Sequence, residues 1–297
     1  MTAAASLPLR FQIGARTLLS VRRKLRRVPL SLDDALSGRV PPLPSVEDGD
    51  GYFVTSLPAA MVPELAAGGM IAFVRQRYTR YYADLAAGFD AWWEGLSGNT
   101  RSGFKRKLKR IGTPDVRGYR TPEELEAFHA IARGIAERTY QERLLGMGLP
   151  DDGEFVAGML AQAAAGTVRA WLLFVEERPV AYLYCPVQAG TVIYEYVGHD
   201  PACNDLSPGT VLQLEAMRDL FAEGSFRRFD FTEGEGQHKR SMATGGIECV
   251  DLLLLRPTMA NRVVVAALAG FDRAVELAKA GVTGIGLQDW AKKVRRG

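Results

Sequence analysis

Cysteine is scarce in this chain: Cys185, Cys203 and Cys249 are the only three among 297 residues. Thiols so few and so scattered exclude a disulfide framework and a thiolate metal site. Histidine is equally rare, and His129, His199 and His238 show no i,i+4 ligand spacing, so no metal is expected. Long apolar runs are missing as well. None approaches the ~18 residues of a membrane-spanning helix. The basic N-terminus lacks both the apolar stretch and the small-residue cleavage site of a secretory leader, which makes the cytoplasm the expected location.

What the chain does have is 47% hydrophobic residues, enough to bury a core in one large or two small domains. Its net charge of +3 conceals an imbalance: residues 1–120 hold 19 Lys and Arg against 10 Asp and Glu, leaving 18 against 24 in the rest. A basic half suits nucleic acid, anionic lipid or a polyanionic substrate, although a solvated helix face is the commoner cause.

Leu9 to Arg27 places Phe11, Ile13, Leu18, Leu19, Val21 and Leu25 among seven basic residues with no acid, a pattern that predicts a basic amphipathic helix. Such a helix either lies on an anionic membrane surface, here the inner face, or packs its apolar side on the body of the protein. Pro29, Pro41, Pro42, Pro44 and the run Glu47 to Gly51 then read as a connector. Tyr52 to Leu57 and Met70 to Val74 predict short strands, and Phe89 to Leu96 a helix with Trp92 or Trp93 buried. From Asn99 to Arg110, Phe104, Leu108 and Ile111 share one helical face while six cations cover the remainder. Thin aromatic interleaving makes nucleic-acid binding unexpected there. Thr121 and Glu124 form a capping box for a helix that buries Leu125, Phe128, Ile131 and Ile135. A second helix follows over 152–165.

Residues 168–240 are the most informative. Three apolar strands, Val168 to Val175, Val180 to Val187 and Thr191 to Gly198, are separated by turns and predict an antiparallel meander. The segment Ser207-Pro208-Gly209-Thr210 then opens a helix, with Ser as N-cap, Pro at the first helical position and Gly allowing close backbone approach. Unpaired N–H groups and the positive dipole end from Ser207 to Val211 suit a pyrophosphate. Phe226 to Phe231 predicts another strand, and Met259 to Lys279 a helix, followed by a short basic helix ending at Arg296.

These motifs, in this order, resemble the GNAT acyltransferase fold, and in particular its FemAB-like branch, associated with polysaccharide and cell-envelope synthesis. The resemblance rests on Arg178-Pro179-Val180-Ala181-Tyr182, Asp200-Pro201, Leu206 to Thr210, Phe229-Asp230-Phe231, and Gly234, Gly236 and Lys239-Arg240, preceded by the Arg101 to Arg110 helix. It implies an α+β fold of αβα layers, with a mixed, mostly antiparallel sheet flanked by helices and a reduced N-terminal lobe. The expected divisions are an arm over 1–51, the reduced lobe over 52–95, the acyltransferase domain over 96–256 and a helical tail over 257–297.

Function follows from the same resemblance. It implies transfer of an acyl group, acetyl or longer, from a CoA thioester to an amine acceptor such as an amino sugar, by direct attack. The phosphate loop has fewer glycines than the commoner GNAT loop, so a FemAB-like reaction with aminoacyl-tRNA or another non-CoA donor stays open, as does a silent interaction module. Val197, Gly198, Ser207, Gly209, Thr210 and Val211 are the expected donor-binding residues, with a strand N–H near Val197 or Gly198 meeting the oxyanion. An attacking ammonium must first lose a proton. Glu195, flanked by tyrosines, is a candidate base or a salt-bridged strand residue; Asp230 orients the acceptor or caps a turn. His238, in a loop with Glu233 and Glu235, is a candidate proton shuttle. Tyr182, Tyr184 and Tyr194 are candidates to protonate the leaving thiolate.

Overall fold

A computed structural model describes residues 4–14, 16–40, 42–46, 49–139, 148–234 and 236–284. The chain packs as two units, residues 1–77 with 248–297, and residues 78–247. The division falls within two long strands, β4 (Ile71–Asp84) and β11 (Gly245–Leu255).

In the first unit, the segment expected to be a basic helix is a β-hairpin, β1 (Ala5–Ile13) against β2 (Arg16–Pro29). Its buried residues, Leu9 and Phe11 on β1, repeat with period two, and on this face they pair with Val21 and Leu19 across the ladder. The helical pattern was misleading because arginines fill both the outward positions and the strand ends, where either periodicity admits them. β2 runs parallel to β3 (Gly51–Pro58), which is antiparallel to β11. Between them α1 (Leu32–Ser37) is capped by the Ser31 side chain. A short turn leads into α2 (Val62–Ala66). The C-terminal helix α9 spans Met259–Gly284 and buries Val264 and Leu268 against Leu9, Phe11, Leu25, Leu253 and Leu255. The connector residues Pro41, Glu47 and Asp48 and the basic helix expected near Arg296 lie outside the described residues.

The second unit takes in residues 78–95, which the sequence grouped with 52–77. It begins with the end of β4, then α3 (Phe89–Gly95), where Trp92 is the buried tryptophan, and the cation-rich α4 (Gly98–Ile111). After β5 (Asp115–Tyr119) comes α5 (Pro122–Ala136), closed at its N-terminus by the full Thr121–Glu124 capping box. α6 (Gly153–Ala164) is capped by Asp152. The meander is β6 (Val168–Val175), β7 (Arg178–Gln188), and a third strand split into β8 (Thr191–Ile193) and β9 (Tyr196–His199). α7 (Pro208–Glu223), β10 (Arg228–Asp230) and α8 (Gln237–Met242) complete the unit.

The sheet order in this unit is β4-β10-β8-β7-β6-β5, with β9 also on β7. Side-chain alternation builds three layers from it. Val168, Ala170, Leu172, Phe174, Tyr182 and Tyr184 face Leu125, Phe128, Ile135 and Met159 of α5 and α6. Trp171, Leu173, Ala181, Leu183 and Cys185 face Val211, Leu214, Met217 and Leu220 of α7 and the aromatics of α3 and α4. Burial on both faces is why β6 and β7 read as continuous apolar runs rather than alternating ones.

Candidate active site

The site begins where the third meander strand breaks. β8 pairs with β7 at Val187 and Gln188, whereas β9 pairs with it one register later, at Ala181 to Tyr184. Pro186 lies opposite the break and has no N–H to donate to the ladder. Tyr194 therefore turns away from β7 and gives its N–H to Asp230 O on β10, at 2.9 Å. β10 runs parallel to β8 but ends at Asp230, so among the described residues no strand covers the outer edge of β9. A wedge opens between neighbouring strands.

The ladder fixes which backbone groups face that wedge. Asp200 donates its N–H to Val180 O at 2.8 Å, which makes alternate antiparallel pairs, Tyr182 with Gly198 included, the hydrogen-bonded ones. Gly198 therefore spends its N–H on β7. The N–H groups of Val197 and His199 point to the open side. Of the two residues proposed to meet an oxyanion, Val197 has the geometry. Gly198 has a packing role: a Cβ there would lie 2.4 Å from Cε1 of Tyr182, so the tyrosine ring occupies that space.

The second wall is the start of α7. Asp200 caps the short helical turn over Pro201–Leu206 through Ala202 N–H, and it binds Arg138 at 3.1 Å and Arg178 at 2.6 Å. Burial alone would raise the Asp200 carboxyl, but that N–H and the two guanidiniums outweigh it and hold it below its ordinary range. This explains why Arg178 and Asp200-Pro201 occur together. At the end of the turn Ser207 takes a left-handed conformation, φ 55° and ψ 49°, and aims the chain into the helix.

Here the expected cradle is corrected. The Ser207 side chain does not cap α7, and Ser207 N–H donates to Asn204 O. Thr210 and Val211 both donate to Ser207 O, because the first helical turn closes on that carbonyl. Gly209 is left as the donor with no backbone partner on this turn, beside the Thr210 hydroxyl. Val211 is buried in the core.

Together these elements enclose a cavity of about 1070 Å³, lined by Arg138, Thr139, Tyr194, Val197, Gly198, His199, Ser207, Gly209, Thr210, Gln213 and His238 among others. His199 shares a hydrogen bond with Asn204 at 2.7 Å. Tyr194, beside His238 at 6.2 Å between ring centroids, is the tyrosine that reaches the cavity. Burial pushes its hydroxyl well above the ordinary value, so it stays protonated. Tyr182 packs under Gly198, and Tyr184 donates to Gln162 at 2.6 Å.

Glu195 sits at the strand break with much of its side chain exposed. Desolvation by the surrounding protein, and then Glu233, raise its pKa above the ordinary carboxylate value. Desolvation, Lys239 and Lys107 lower that of His238, which keeps it neutral near pH 7. His238 lies on α8 where a loop was expected, and Glu235 lies outside the described residues. Asp230 spends its carboxylate within the fold. It is buried and locked to Arg80, at 2.5 Å and 3.2 Å, and accepts Thr232 N–H at 2.9 Å, the turn-capping role.

Two site residues escaped the sequence reading. Lys107 donates to Thr210 Oγ1 at 3.1 Å, and burial lowers its pKa. Its signal was helical position: with Arg101, it lies on the inward stripe of Phe104, Leu108 and Ile111. Gln213, one turn below Gly209, is 2% exposed, lines the cavity, and has an Nε2 without a hydrogen-bond partner among the described residues. A buried amide left so is a site that a ligand or water satisfies. Among the described residues no group of His, Cys, Asp or Glu is placed to hold a metal ion.

Comparison with known proteins agrees with this architecture. Residues 98–240 match the family model described as an acetyltransferase (GNAT) domain. The second unit carries a GNAT domain. Solved structures share this fold at low identity. The C-terminal domain of a putative lysylphosphatidylglycerol synthetase from Agrobacterium fabrum has a TM-score of 0.51 and 10% identity over 74% of this chain and 71% of that one. FemX has a TM-score of 0.52 and 10% identity, covering 84% and 88%. A Bacteroides thetaiotaomicron protein of unknown function gives 0.50 and 14% over 68% and 69%. These likenesses show a shared fold. The search of curated protein sequences gives no match.

Proposed function

We propose that the GNAT domain transfers an acyl group from a CoA thioester to an amine. The observation that carries this reading is the wedge at the Tyr194 break. There the open backbone edge of β9, the Gly209 amide and Thr210, to whose hydroxyl Lys107 donates, border one cavity with a neutral tyrosine, and Glu195, a carboxyl of raised pKa, follows Tyr194 at the break. The Gly209 N–H and the Lys107 ammonium suit phosphate, and the free edge of β9 suits the amides of a pantetheine arm, strand against strand.

The chemistry then needs few parts. Glu195 takes a proton from the acceptor ammonium, directly or through water, and frees its lone pair. The amine nitrogen attacks the thioester carbon, a C–N bond forms, and the Val197 N–H meets the negative charge on oxygen. The C–S bond breaks, and Tyr194 O–H supplies the proton that the departing thiolate takes. His238, neutral and beside Tyr194, takes the proton that the nitrogen sheds as the tetrahedral intermediate collapses and passes it on to Tyr194. The acceptor we favour is an amino sugar of an envelope polysaccharide, acted on in the cytoplasm or at the inner membrane face. The basic N-terminal sequence supports that location.

The second reading is a FemAB-like transferase with an aminoacyl or other non-CoA donor, supported by the FemX-like fold over most of the chain. A thermal-shift and calorimetric screen of acetyl-CoA, longer acyl-CoAs, CoA and aminoacyl-tRNA separates the two, since a ligand that prefers the folded state raises its melting point. Stabilisation by CoA thioesters, followed by release of free thiol on adding an amine, supports the first reading. Binding of aminoacyl-tRNA with none of CoA overturns it in favour of the second; no response to either leaves a silent module.

A further inference from the structure

The β1–β2 hairpin presents a surface that acyl transfer does not use. Its root is fixed: Leu9, Phe11 and Leu25 are buried in the first unit, and the Phe11 ring meets the edge of Phe271 on α9 at 5.4 Å. Its tip is bare. Ile13 is 50%, Leu18 53% and Leu19 58% exposed, on either side of a turn that Gly14 makes at φ 60°. A register shift after Phe11 leaves Leu18 without a cross-strand partner, next to Leu19, which pairs with Phe11 and is exposed.

Charge around this tip has one sign. No Asp or Glu occurs before Asp33, while the hairpin carries seven cations. Arg23 and Arg26 turn inward, to Asn261 and to Ser45 O. Arg10, Arg16, Arg22, Lys24 and Arg27 are exposed, with no side-chain hydrogen bond or ion pair among the described residues.

We propose that this hairpin docks the protein on an anionic lipid bilayer. Ile13, Leu18 and Leu19 enter the boundary between headgroups and acyl chains while Arg10, Arg16 and Arg22 meet lipid phosphates. Aliphatic side chains held in water gain by entering that boundary, and each nearby cation adds attraction to an anionic leaflet. Charge complementarity alone would admit RNA, but no aromatic ring is exposed at the tip for bases to stack on, since Phe11 is buried. The inference is independent of the donor and acceptor of the GNAT domain.

The test is co-sedimentation of the full chain with phosphatidylcholine vesicles with and without phosphatidylglycerol, at low and high salt. The wild type binds anionic vesicles and is released by salt. Arg16→Gln with Arg22→Gln weakens that binding by about 25-fold, roughly fivefold per cation. Leu18→Ser with Leu19→Ser weakens it by about tenfold or more. All four positions are exposed, and unchanged melting curves confirm that both double variants fold. Equal binding to neutral vesicles, or undiminished binding by both double variants, overturns the proposal. So does a dimer, or an RNA complex, that the same variants abolish in a protein that ignores vesicles.

Discussion

Replacing Gly209 with alanine separates the stability of the site from its affinity. A Cβ at Gly209 meets nothing closer than His199 Nδ1 at 3.5 Å, an ordinary contact, and the residue does not need a left-handed φ. The free protein should therefore accept Gly209→Ala and gain about 0.5–1 kcal/mol, because alanine restricts the unfolded chain more than glycine does. For a domain of this size that raises Tm by about 1–4 °C. The bound state fares differently. A phosphate oxygen on the Gly209 N–H must come within about 2.7–2.9 Å of the nitrogen, where the added methyl crowds it. Losing a charge-assisted hydrogen bond of about 1.5–3 kcal/mol weakens acyl-CoA binding about 10- to 100-fold. Differential scanning fluorimetry without ligand and calorimetry with acetyl-CoA measure the two halves. An unchanged Kd would refute the assignment of this amide to the donor. A lower Tm would refute the packing argument.

Glu195→Gln should lower kcat by about 10²- to 10⁴-fold and remove the acid limb of the pH–rate profile, which in the wild type lies above the ordinary carboxylate pKa. A folded carboxyl pKa raised above its unfolded value costs stability once pH exceeds the unfolded pKa, so the same variant melts higher at pH 7; equal melting and an intact acid limb would remove Glu195 from the mechanism. Asp230→Asn removes the carboxylate charge that faces the buried Arg80 guanidinium and should cost about 3–5 kcal/mol in denaturant unfolding. A loss of activity without loss of stability would restore Asp230 as a candidate for the acceptor. Gln213→Leu removes a buried amide whose Nε2 has no partner among the described residues, so it should leave free-protein stability unchanged or raised while KM for one substrate increases about tenfold; a neutral effect on both constants would mean that water satisfies Gln213.

How far the sequence disclosed this site depends on the range of the interactions concerned. The capping box at Thr121, the meander and the opening of α7 at Pro208 were legible because each is set by residues within a few positions of one another. The N-terminal hairpin was not, since Leu9 and Phe11 owe their burial to α9, some 250 residues away in the chain, and without that partner an arginine-rich stretch suits a helix as well as a strand. β11 escaped notice for a related reason: Cys249 to Leu255 are buried on both faces, which erases the alternation that marks a strand. At the site itself the sequence pointed to Gly209 and Val197 and left the state of their neighbours open. Whether Thr210 N–H is free depends on where the Ser207 carbonyl points, and that follows from a left-handed Ser207 which residue type alone does not announce. Asp230 shows the same gap from the other side. An acid between two phenylalanines, next to a glycine-rich loop, has the surroundings of a catalytic group, and what decides against it is Arg80, 150 residues earlier on β4. Charge pairing across strands is written into the sheet order, so a carboxylate's freedom to act can be judged only once the neighbouring strand is known.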